Sequence, residues 1–352
     1  MDVCVVLPTI NEAKNLEILL PKLNNVLSSY DWLAVVVDDG STDGTQDVVN
    51  NFAITTGKAL LIERGRKLGL GSAIKTGMRV CLDKNTKVVV VMDADLQHPP
   101  ETLPNLVSAV LGGSDLAIAS RYVRGGGVTN WSLGRFIVSK GAIYMARFLI
   151  PWIHNIRDPI SGFFAVNGDK LREIVDSLSD SSGYKLLLEL ITAAHNRYGD
   201  LFRIVEVPYI FRSRVYGVSK LNLREFVKYA LLVLKLSNYS IFKYIVALLV
   251  GSIIGYAVFT ALSPINSLMG NFISIESSIM AVMTMYQLLM KTKPRLEYYT
   301  RYHLVKYFSV AVKLFLFALP APIIIALMIS GILQLLLTMR LINIHIPITH
   351  II

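Results

Sequence analysis

Short apolar runs alternate with stretches of helical character over residues 1–120. The apolar runs are Val3–Leu7, Leu33–Val37, Ala59–Ile62, Val88–Met92 and Leu116–Ala119. The helical stretches between them begin near Glu12, Asp43, Gly71 and Glu101. This alternation is typical of an α/β domain in which helices cover a parallel sheet. The sequence therefore predicts a Rossmann-like, mainly parallel sheet flanked by helices.

Oxygen-bearing side chains follow the fourth apolar run, at Asp93, Asp95 and Gln97. If the extended geometry continued past the run, alternation along the strand would place all three on one side. Carboxylate and amide oxygens suit hard cations such as Mg²⁺ or Mn²⁺, which would hold a diphosphate. The simpler alternative is that the aspartates end a strand and solvate a loop. We favour the metal site, and for His98 we favour a role in the turn before Pro99 over contact with the metal.

Polar residues also follow the first two apolar runs. Pro8–Glu12 ends the first run, and Asp38 and Asp39 end the second. Ligands of open parallel sheets bind at the carboxyl ends of the strands, so we expect these residues to share one edge with Asp93–Gln97. The segment after the second run also has the composition of a turn, in which one acid would cap the next helix. Another acid would then remain to accept a hydrogen bond from a nucleobase.

Glycines cluster at Gly69, Gly71 and Gly77, where a helix is expected to begin. Their spacing differs from the dinucleotide-binding fingerprint, and no phosphate-loop lysine motif follows them. The sequence therefore argues against an NAD site and against a P-loop.

The C-terminal third is too apolar for a soluble fold. Hydrophobic residues make up 53% of the 352 residues and charged residues only 17%, an excess that indicates membrane segments. Apolar stretches of about 20 residues match a bilayer core, and Pro320 and Pro322 would break the longest of them. We predict an all-α transmembrane domain over residues 239–352, with four helices at about 241–262, 269–290, 304–319 and 321–339.

Basic residues are distributed unevenly around the predicted spans. They precede the first span and fill the loop at 291–303, whereas residues 263–268 carry no charge. By the positive-inside rule, the N-terminal domain and both termini of this integral membrane protein are expected to be cytoplasmic. The chain begins directly with a strand pattern, so we expect no signal peptide.

The formal net charge is 35 − 25 = +10. A basic balance of this size could indicate nucleic acid, but no nucleic-acid-binding motif is found. Attraction to the anionic head groups of a lipid bilayer is the simpler interpretation, because basic residues gather beside the predicted membrane domain.

Cys4 and Cys81 are the two cysteines of the chain. Both lie in apolar surroundings and form no recognisable pairing or metal-binding pattern. We therefore interpret them as small core residues and expect neither a disulfide nor a metal site.

Two basic helical stretches are expected beside the membrane. Residues 131–152 are apolar with interspersed Arg135, Lys140 and Arg147, and residues 221–238 carry further basic side chains. Such helices are able to lie along a membrane surface with their basic groups at the lipid head groups. They could equally be ordinary core helices. We favour the interfacial interpretation because a predicted membrane span directly follows residues 221–238. The N-terminal domain that precedes them is placed at residues 1–220.

Several ordered motifs together resemble family 2 glycosyltransferases with the GT-A fold. These motifs are Pro8–Glu12, Asp38–Thr45, Arg66–Gly71 and Asp93–Pro100. More narrowly, Asp158–Phe163 and Arg214–Lys220 are similar to motifs of the dolichyl-phosphate mannose synthases. The resemblance covers about two thirds of the chain, and the tail resembles the four-span domain that often accompanies polyprenyl-phosphate glycosyltransferases.

The resemblance implies roles for individual residues. It implies a guanosine site formed by Thr9, Glu12 and one of Asp38 or Asp39, and a metal site formed by Asp93, Asp95 and Gln97. The wider set implied to bind the donor is Pro8, Thr9, Glu12, Asp38, Asp39, Lys67, Asp93, Ala94, Arg212, Arg214 and Lys220. Those implied to be catalytic are Asp95, as a metal ligand, and Arg121, Arg135 and Ser139, which would meet the transferred sugar or the acceptor phosphate. Independently, Arg135 and Ser139 are four residues apart, which would place them on one face of a helix.

The activity that the resemblance implies is metal-dependent transfer of mannose, with inversion, from GDP-mannose to dolichyl phosphate or another polyprenyl phosphate. The products would be GDP and dolichyl-phosphate mannose. A closely related alternative is a polyprenyl-phosphate glucose or aminoarabinose transferase that uses a UDP-sugar. A non-enzymatic transporter of lipid-linked sugars would explain the tail but not the acidic segment at Asp93.

Overall fold

The computed structural model describes residues 1–179, 185–212, 223–238 and 240–262, together with scattered positions between 264 and 289. The strands are β1 (Val3–Thr9), β2 (Trp32–Asp38), β3 (Ala59–Glu63), β4 (Val88–Val91), β5 (Leu116–Ser120), β6 (Gly127–Val128), β7 (Phe164–Asn167), β8 (Ile204–Pro208) and β9 (Ile210–Phe211). The helices are α1 (Ala13–Val26), α2 (Thr45–Thr56), α3 (Leu70–Asp83), α4 (Leu103–Leu111), α5 (Leu133–Leu149), α6 (Gly168–Ile174), α7 (Leu186–Tyr198), α8 (Leu223–Leu236) and α9 (Ser240–Leu262). These bounds agree closely with the predicted apolar runs and helical stretches.

Seven strands form one mixed sheet in the order β3-β2-β1-β4-β7-β5-β8. The pairs among β1 to β4 are parallel, as is the pair of β5 with β8. Only β7 runs antiparallel to its neighbours β4 and β5. The predicted mainly parallel sheet flanked by helices is therefore confirmed, with one antiparallel strand that the sequence pattern did not reveal.

The inserted strand β7 decides which loops meet. Because β7 reverses direction relative to both β4 and β5, β5 and β8 run in the same direction as β4. The carboxyl ends of β1, β2, β4, β5 and β8 therefore lie at one edge of the sheet, together with the amino end of β7. This shared edge, which we call the loop edge, carries most of the polar side chains predicted to be functional.

The central strands are buried on both faces. Every residue of β1, β4 and β5 is buried, which is why these strands appear in the sequence as unbroken apolar runs. Helix α3 lies close against β1 at Gly77, where an added Cβ would be 2.4 Å from Val6 Cγ1. Glycine at this position permits a close approach of helix and strand.

Cys4 and Cys81 form a disulfide, so the prediction that they are unpaired core residues is wrong. Cys4 lies in β1 and Cys81 on the buried face of α3, and both are fully buried. Their Cα atoms are 5.7 Å apart across 77 residues of sequence, within the range that a disulfide spans. The pairing follows from the packing of α3 on β1, which the cysteine spacing alone does not encode.

One helix among the described residues is long and apolar enough to cross a membrane. The candidate span is Ile245–Leu262 within α9, with a mean hydropathy of 2.3, and it coincides with the first predicted span. The predicted spans at 304–319 and 321–339 lie outside the described residues, and 269–290 is described only at scattered positions. The described residues fall into two compact units, formed by 1–144 with 152–229 and by 145–151 with the chain from Ala230 onward.

Replacing both cysteines with alanine is expected to lower the free energy of unfolding of the unit that contains β1 and α3 by about 2–4 kcal/mol, because the crosslink restricts a long loop of the unfolded chain. Denaturant titration of wild type and of C4A/C81A measures this difference. Denatured wild-type protein should bind no thiol reagent before reduction and two equivalents after it. Two reactive thiols in unreduced protein would contradict the disulfide.

Candidate active site

The Asp38 carboxylate joins the ends of β1 and β2. Its Oδ1 accepts hydrogen bonds from Thr9 Oγ1 at 3.1 Å and from the Ser41 hydroxyl. Its Oδ2 accepts from the Ser41 backbone N–H at 2.9 Å and from the Gln46 amide at 3.2 Å. Asp38 is fully buried, so these bonds provide the partners that a buried carboxylate requires.

The neighbouring Asp39 fixes the loop between β3 and α3. Its Oδ1 accepts from Arg64 Nε at 2.6 Å, and its Oδ2 accepts from the backbone N–H groups of Leu68 and Gly69 at 3.2 and 3.0 Å. Arg64 in turn donates to Ser72 at 2.7 Å. Each oxygen of Asp38 and of Asp39 thus already accepts a hydrogen bond from the protein.

Asp43 links the beginnings of two helices. Its Oδ2 accepts from the backbone N–H of Ala13, the first residue of α1, and its Oδ1 from the N–H of Thr45, the first residue of α2, both at 3.1 Å. The Thr45 hydroxyl accepts from the backbone N–H of Glu12 at 2.9 Å. The Glu12 carboxylate is half-buried and accepts from Asn15 at 2.5 Å. Asp43 therefore accepts from the first backbone N–H of both helices, although Gly44 and not an acid occupies the N-cap position of α2.

Lys67 and the glycines around it form an exposed part of the loop edge. The Lys67 side chain is exposed, as are the adjacent Arg66 and Leu68. Gly40 has φ +83°, and an added Cβ would lie 3.3 Å from the backbone of Arg66. Both the positive φ and the close approach favour glycine at the contact between these two loops.

The acidic segment after β4 is bent and not extended. Leu96 has φ +61°, and the Gln97 backbone N–H donates to Asp95 Oδ1 at 3.1 Å. The expectation that extended geometry continues through Gln97 is therefore wrong, because a local turn intervenes. Asp95 and Gln97 are buried, with 4% and 5% of their surface exposed, and Ala94 is buried beside them, whereas the Asp93 side chain is 28% exposed.

The oxygen atoms that this segment offers as metal ligands suit a hard divalent cation. Asp93 and Asp95 offer carboxylate oxygens, and Gln97 offers an amide whose nitrogen donates to the Arg212 carbonyl at 3.1 Å. An amide nitrogen held in this way fixes the orientation of the side chain. Among the described residues no group of three or more His, Cys, Asp or Glu side chains could hold a metal, so a cation here would need the amide or further ligands from its substrate.

His98 lies in an aromatic cluster beside Asp93. Its Nε2 is 3.3 Å from Asp93 Oδ2, and only 2% of its surface is exposed. The rings of Phe163, Tyr209 and Phe211 surround it, with centroids at 5.1, 5.8 and 5.5 Å. His98 therefore contacts a predicted metal ligand from within the core, a position that the turn interpretation did not anticipate.

Arg121 directly follows β5 and pairs with Asp158, in the loop that precedes β7. Its Nε and Nη2 donate to the two carboxylate oxygens at 2.8 and 2.7 Å. The antiparallel direction of β7 brings this loop to the loop edge. Burial alone would lower the pKa of Arg121, but the Asp158 carboxylate raises it, and the net shift of the pKa is upward.

Arg135 and Ser139 both lie in α5, as predicted from their spacing. The Arg135 guanidinium carbon is 4.4 Å from the centroid of the Trp131 ring, a cation–π distance. The Ser139 hydroxyl is 2.8 Å from the Tyr122 hydroxyl. Burial raises the pKa of Tyr122, so this phenol is protonated at neutral pH.

Arg212 is tied to the acidic segment through its backbone. Its N–H donates to the Gln97 carbonyl at 3.0 Å, and its own carbonyl accepts from the Gln97 amide. Its half-exposed guanidinium is 3.7 Å from Glu101 Oε2. Arg214 and Lys220 lie outside the described residues.

Sequence reasoning assigned no role to several side chains at the loop edge. Asp158 belongs to the motif Asp158–Phe163, but the sequence predicted no function for it. Tyr122, Trp131 and Phe211 were not predicted to be site residues. Phe211 contacts Arg121 and Arg135 from far along the chain, because β9 pairs with β6. Tyr122 directly follows Arg121, and Trp131 lies four residues before Arg135, so these two contacts are local in sequence.

Comparison with known proteins places the chain among glycosyltransferases. The family described as Glycosyl transferase family 2 matches residues 4–177. A dolichol-phosphate mannosyltransferase from Pyrococcus furiosus is 40% identical over 65% of this chain and 62% of its own length, so the match spans about three fifths of that relative. A polyprenol monophosphomannose synthase from Mycolicibacterium smegmatis is 39% identical over 63% of this chain and 82% of its own length.

A solved structure has a related fold at lower similarity. Glucosyl-3-phosphoglycerate synthase from Mycobacterium tuberculosis, in complex with Mn²⁺, UDP-glucose and phosphoglyceric acid, is 23% identical with a TM-score of 0.50. The match covers 67% of this chain and 80% of that chain, and it bears on the fold alone. Given the identity to the Mycolicibacterium relative and the matched family segment, this chain belongs to glycosyl transferase family 2.

Proposed function

We propose that the protein transfers mannose from GDP-mannose to dolichyl phosphate or another polyprenyl phosphate, with inversion and with the help of a divalent cation. The main support is the identity to relatives that are named for mannose transfer to such lipids. The Mycolicibacterium protein is covered over 82% of its length, and an undecaprenyl-phosphate mannosyltransferase from Micrococcus luteus is 37% identical over 88% of its length. The segment matched by the family, residues 4–177, includes Asp93–Gln97, Arg121, Arg135 and Ser139.

The donor nucleotide would bind over the ends of β1 and β2. Asp38 and Asp39 already accept hydrogen bonds from the protein, so we assign them the shaping of the loops that face the nucleotide. Direct contact would fall to Glu12, Lys67 and the backbone at Pro8 and Thr9. Lys67 is exposed and carries the charge needed to approach a diphosphate.

The cation, Mg²⁺ or Mn²⁺, would be held by Asp93, Asp95 and Gln97 and would neutralise charge on the departing nucleotide diphosphate as a Lewis acid. The protein prepares this position in two ways. The turn at Leu96 and the bond from Gln97 to Asp95 fix the backbone, and the Arg212 carbonyl fixes the Gln97 amide. Preorganised ligands reduce the cost of ordering the site when a ligand binds.

The acceptor needs no general base. A phosphate monoester has a second pKa of about 6, so it is largely dianionic at neutral pH and already nucleophilic. What the protein must supply is cationic groups that bind the phosphate against the sugar carbon. Arg121 and Arg135 are the candidates, with Ser139 beside them and with Arg212, Arg214 and Lys220 on the segment after β9.

The membrane would supply the lipid acceptor. The α9 span is apolar and mostly exposed, as expected of a helix that contacts lipid. We propose that 131–152 and 221–238 lie along the membrane surface, that the remaining predicted spans complete a four-helix domain, and that the catalytic domain faces the cytoplasm. Intracellular disulfides are rare outside hyperthermophiles. The Cys4–Cys81 disulfide therefore agrees with a cytoplasmic catalytic domain in a hyperthermophile and argues against one in other organisms.

Purified protein in lipid vesicles with polyprenyl phosphate is expected to transfer label from GDP-mannose into the lipid fraction, and to stop when a chelator removes divalent cations. Mg²⁺ or Mn²⁺ added back should restore transfer. Thin-layer chromatography of the extracted lipid measures the product. Label incorporated only from a UDP-sugar would contradict the mannose assignment, and transfer that resists chelation would contradict the metal.

Replacing Asp95 with asparagine is expected to lower turnover by about 100-fold or more, because a ligand of the charge-neutralising cation is lost. Binding of Mn²⁺ in the presence of GDP, measured by electron paramagnetic resonance, should weaken in parallel. D115N provides a matched control, because Asp115 is also a buried aspartate but precedes β5, at the opposite edge of the sheet. Equal losses of turnover in D95N and D115N would contradict the assignment of Asp95 as a metal ligand.

A further inference from the structure

The carboxylate of Asp158 is fully buried, and Arg121 is its hydrogen-bond donor among the residues that the structure describes. Oδ2 accepts from Arg121 Nε at 2.8 Å and from the Arg121 backbone N–H at 3.0 Å, while Oδ1 accepts from Nη2 at 2.7 Å. A paired fork of this kind fixes the plane of the guanidinium as well as its position. Nη1 takes no part in the hydrogen bonds to Asp158.

Aromatic rings restrict the guanidinium from other sides. The centroids of Tyr122, Trp131 and Phe211 lie 5.3, 5.5 and 5.7 Å from the guanidinium carbon of Arg121. Each distance is within the range of a cation–π interaction. Arg121 is therefore held at the loop edge in one orientation and cannot swing freely as a surface arginine does.

Asp158 is itself held from β8. The two carboxylate oxygens of Glu206 accept the backbone N–H groups of Arg157 and Asp158, both at 2.9 Å. Glu206 is fixed in register, because it pairs with Ile118 of β5, the strand that ends just before Arg121. Asp158 and Glu206 thus connect Arg121 to the rigid sheet and fix its orientation.

We propose that Asp158 is a positioning residue, which orients Arg121 so that Nη1 meets the phosphate of the lipid acceptor. This inference rests on the proposed function. A base at Asp158 is excluded by its burial and by the engagement of both its oxygens. The ion pair also lowers the net charge at Arg121, so Arg121 would orient the acceptor phosphate more than it would neutralise its charge.

A double-mutant cycle tests this inference with D158N, R121Q and the double variant. D158N is expected to lower kcat/KM for polyprenyl phosphate by about tenfold or more, since a small misplacement of a binding group is costly, while KM for GDP-mannose stays within about twofold. If Asp158 acts through Arg121, D158N should cause no further loss in the R121Q background. Multiplicative losses would overturn the inference, since Asp158 would then act independently of Arg121.

Folding and function are separated by controls. GDP binding and the thermal midpoint report folding for each variant, and D115N removes a buried carboxylate at the amino end of the same strand β5. D115N should leave the acceptor kcat/KM within about twofold of wild type. An acceptor defect in D115N equal to that of D158N would reduce Asp158 to a stability role.

R121K provides an independent test of the inference if D158N does not fold. It keeps the charge but loses the fork, so it should lose acceptor kcat/KM as R121Q does. Full activity of R121K would overturn the inference. If the wild-type protein transfers no mannose, the proposed function is refuted. If the wild-type protein is active but the losses in the double-mutant cycle are multiplicative, only the role of Asp158 is refuted.

Discussion

Burial of the central strands on both faces is the constraint on which the rest of the structure depends. β1, β4 and β5 are buried throughout and consist almost wholly of apolar residues. Polar chemistry is therefore excluded from the sheet and must occur where the strands end. Asp93, Asp95 and Gln97 accordingly lie in the loop that continues β4, and Arg121 lies in the loop that continues β5, both held by the rigid layer beneath them. Arg135 and Ser139 are exceptions, because they lie in helix α5.

The elements that local pattern determines were predictable from the sequence. Unbroken apolar runs gave β1, β2, β4 and β5 within one or two residues, because strands buried on both faces leave that signature. The helical stretches expected from about Glu12, Asp43, Gly71 and Glu101 are confirmed as α1 to α4. The antiparallel insertion of β7 was not predictable, because strand order depends on contacts between residues far apart in sequence. The Cys4–Cys81 bond belongs to the same class of long-range fact.

The candidate site was predictable in its residue types but not in its connections. One of Asp38 and Asp39 was expected to accept a hydrogen bond from a nucleobase, and the structure shows in addition that both carboxylates hold loops together. Asp95 and Gln97 were expected in extended chain, yet a turn at Leu96 joins them. Sequence reveals which groups have the right chemistry, whereas the packing of neighbouring loops decides which of them are already engaged.

The Cys4–Cys81 crosslink closes a covalent ring that contains β2 and β3. β1, β2 and β3 lie between or at its two anchor points, together with the loops that carry Asp38 and Arg64. A single proteolytic cut anywhere inside this ring would leave both pieces of the chain attached to each other. The polypeptide could thus be nicked at an exposed loop such as that of Lys67 and still migrate as one species until a reductant is added.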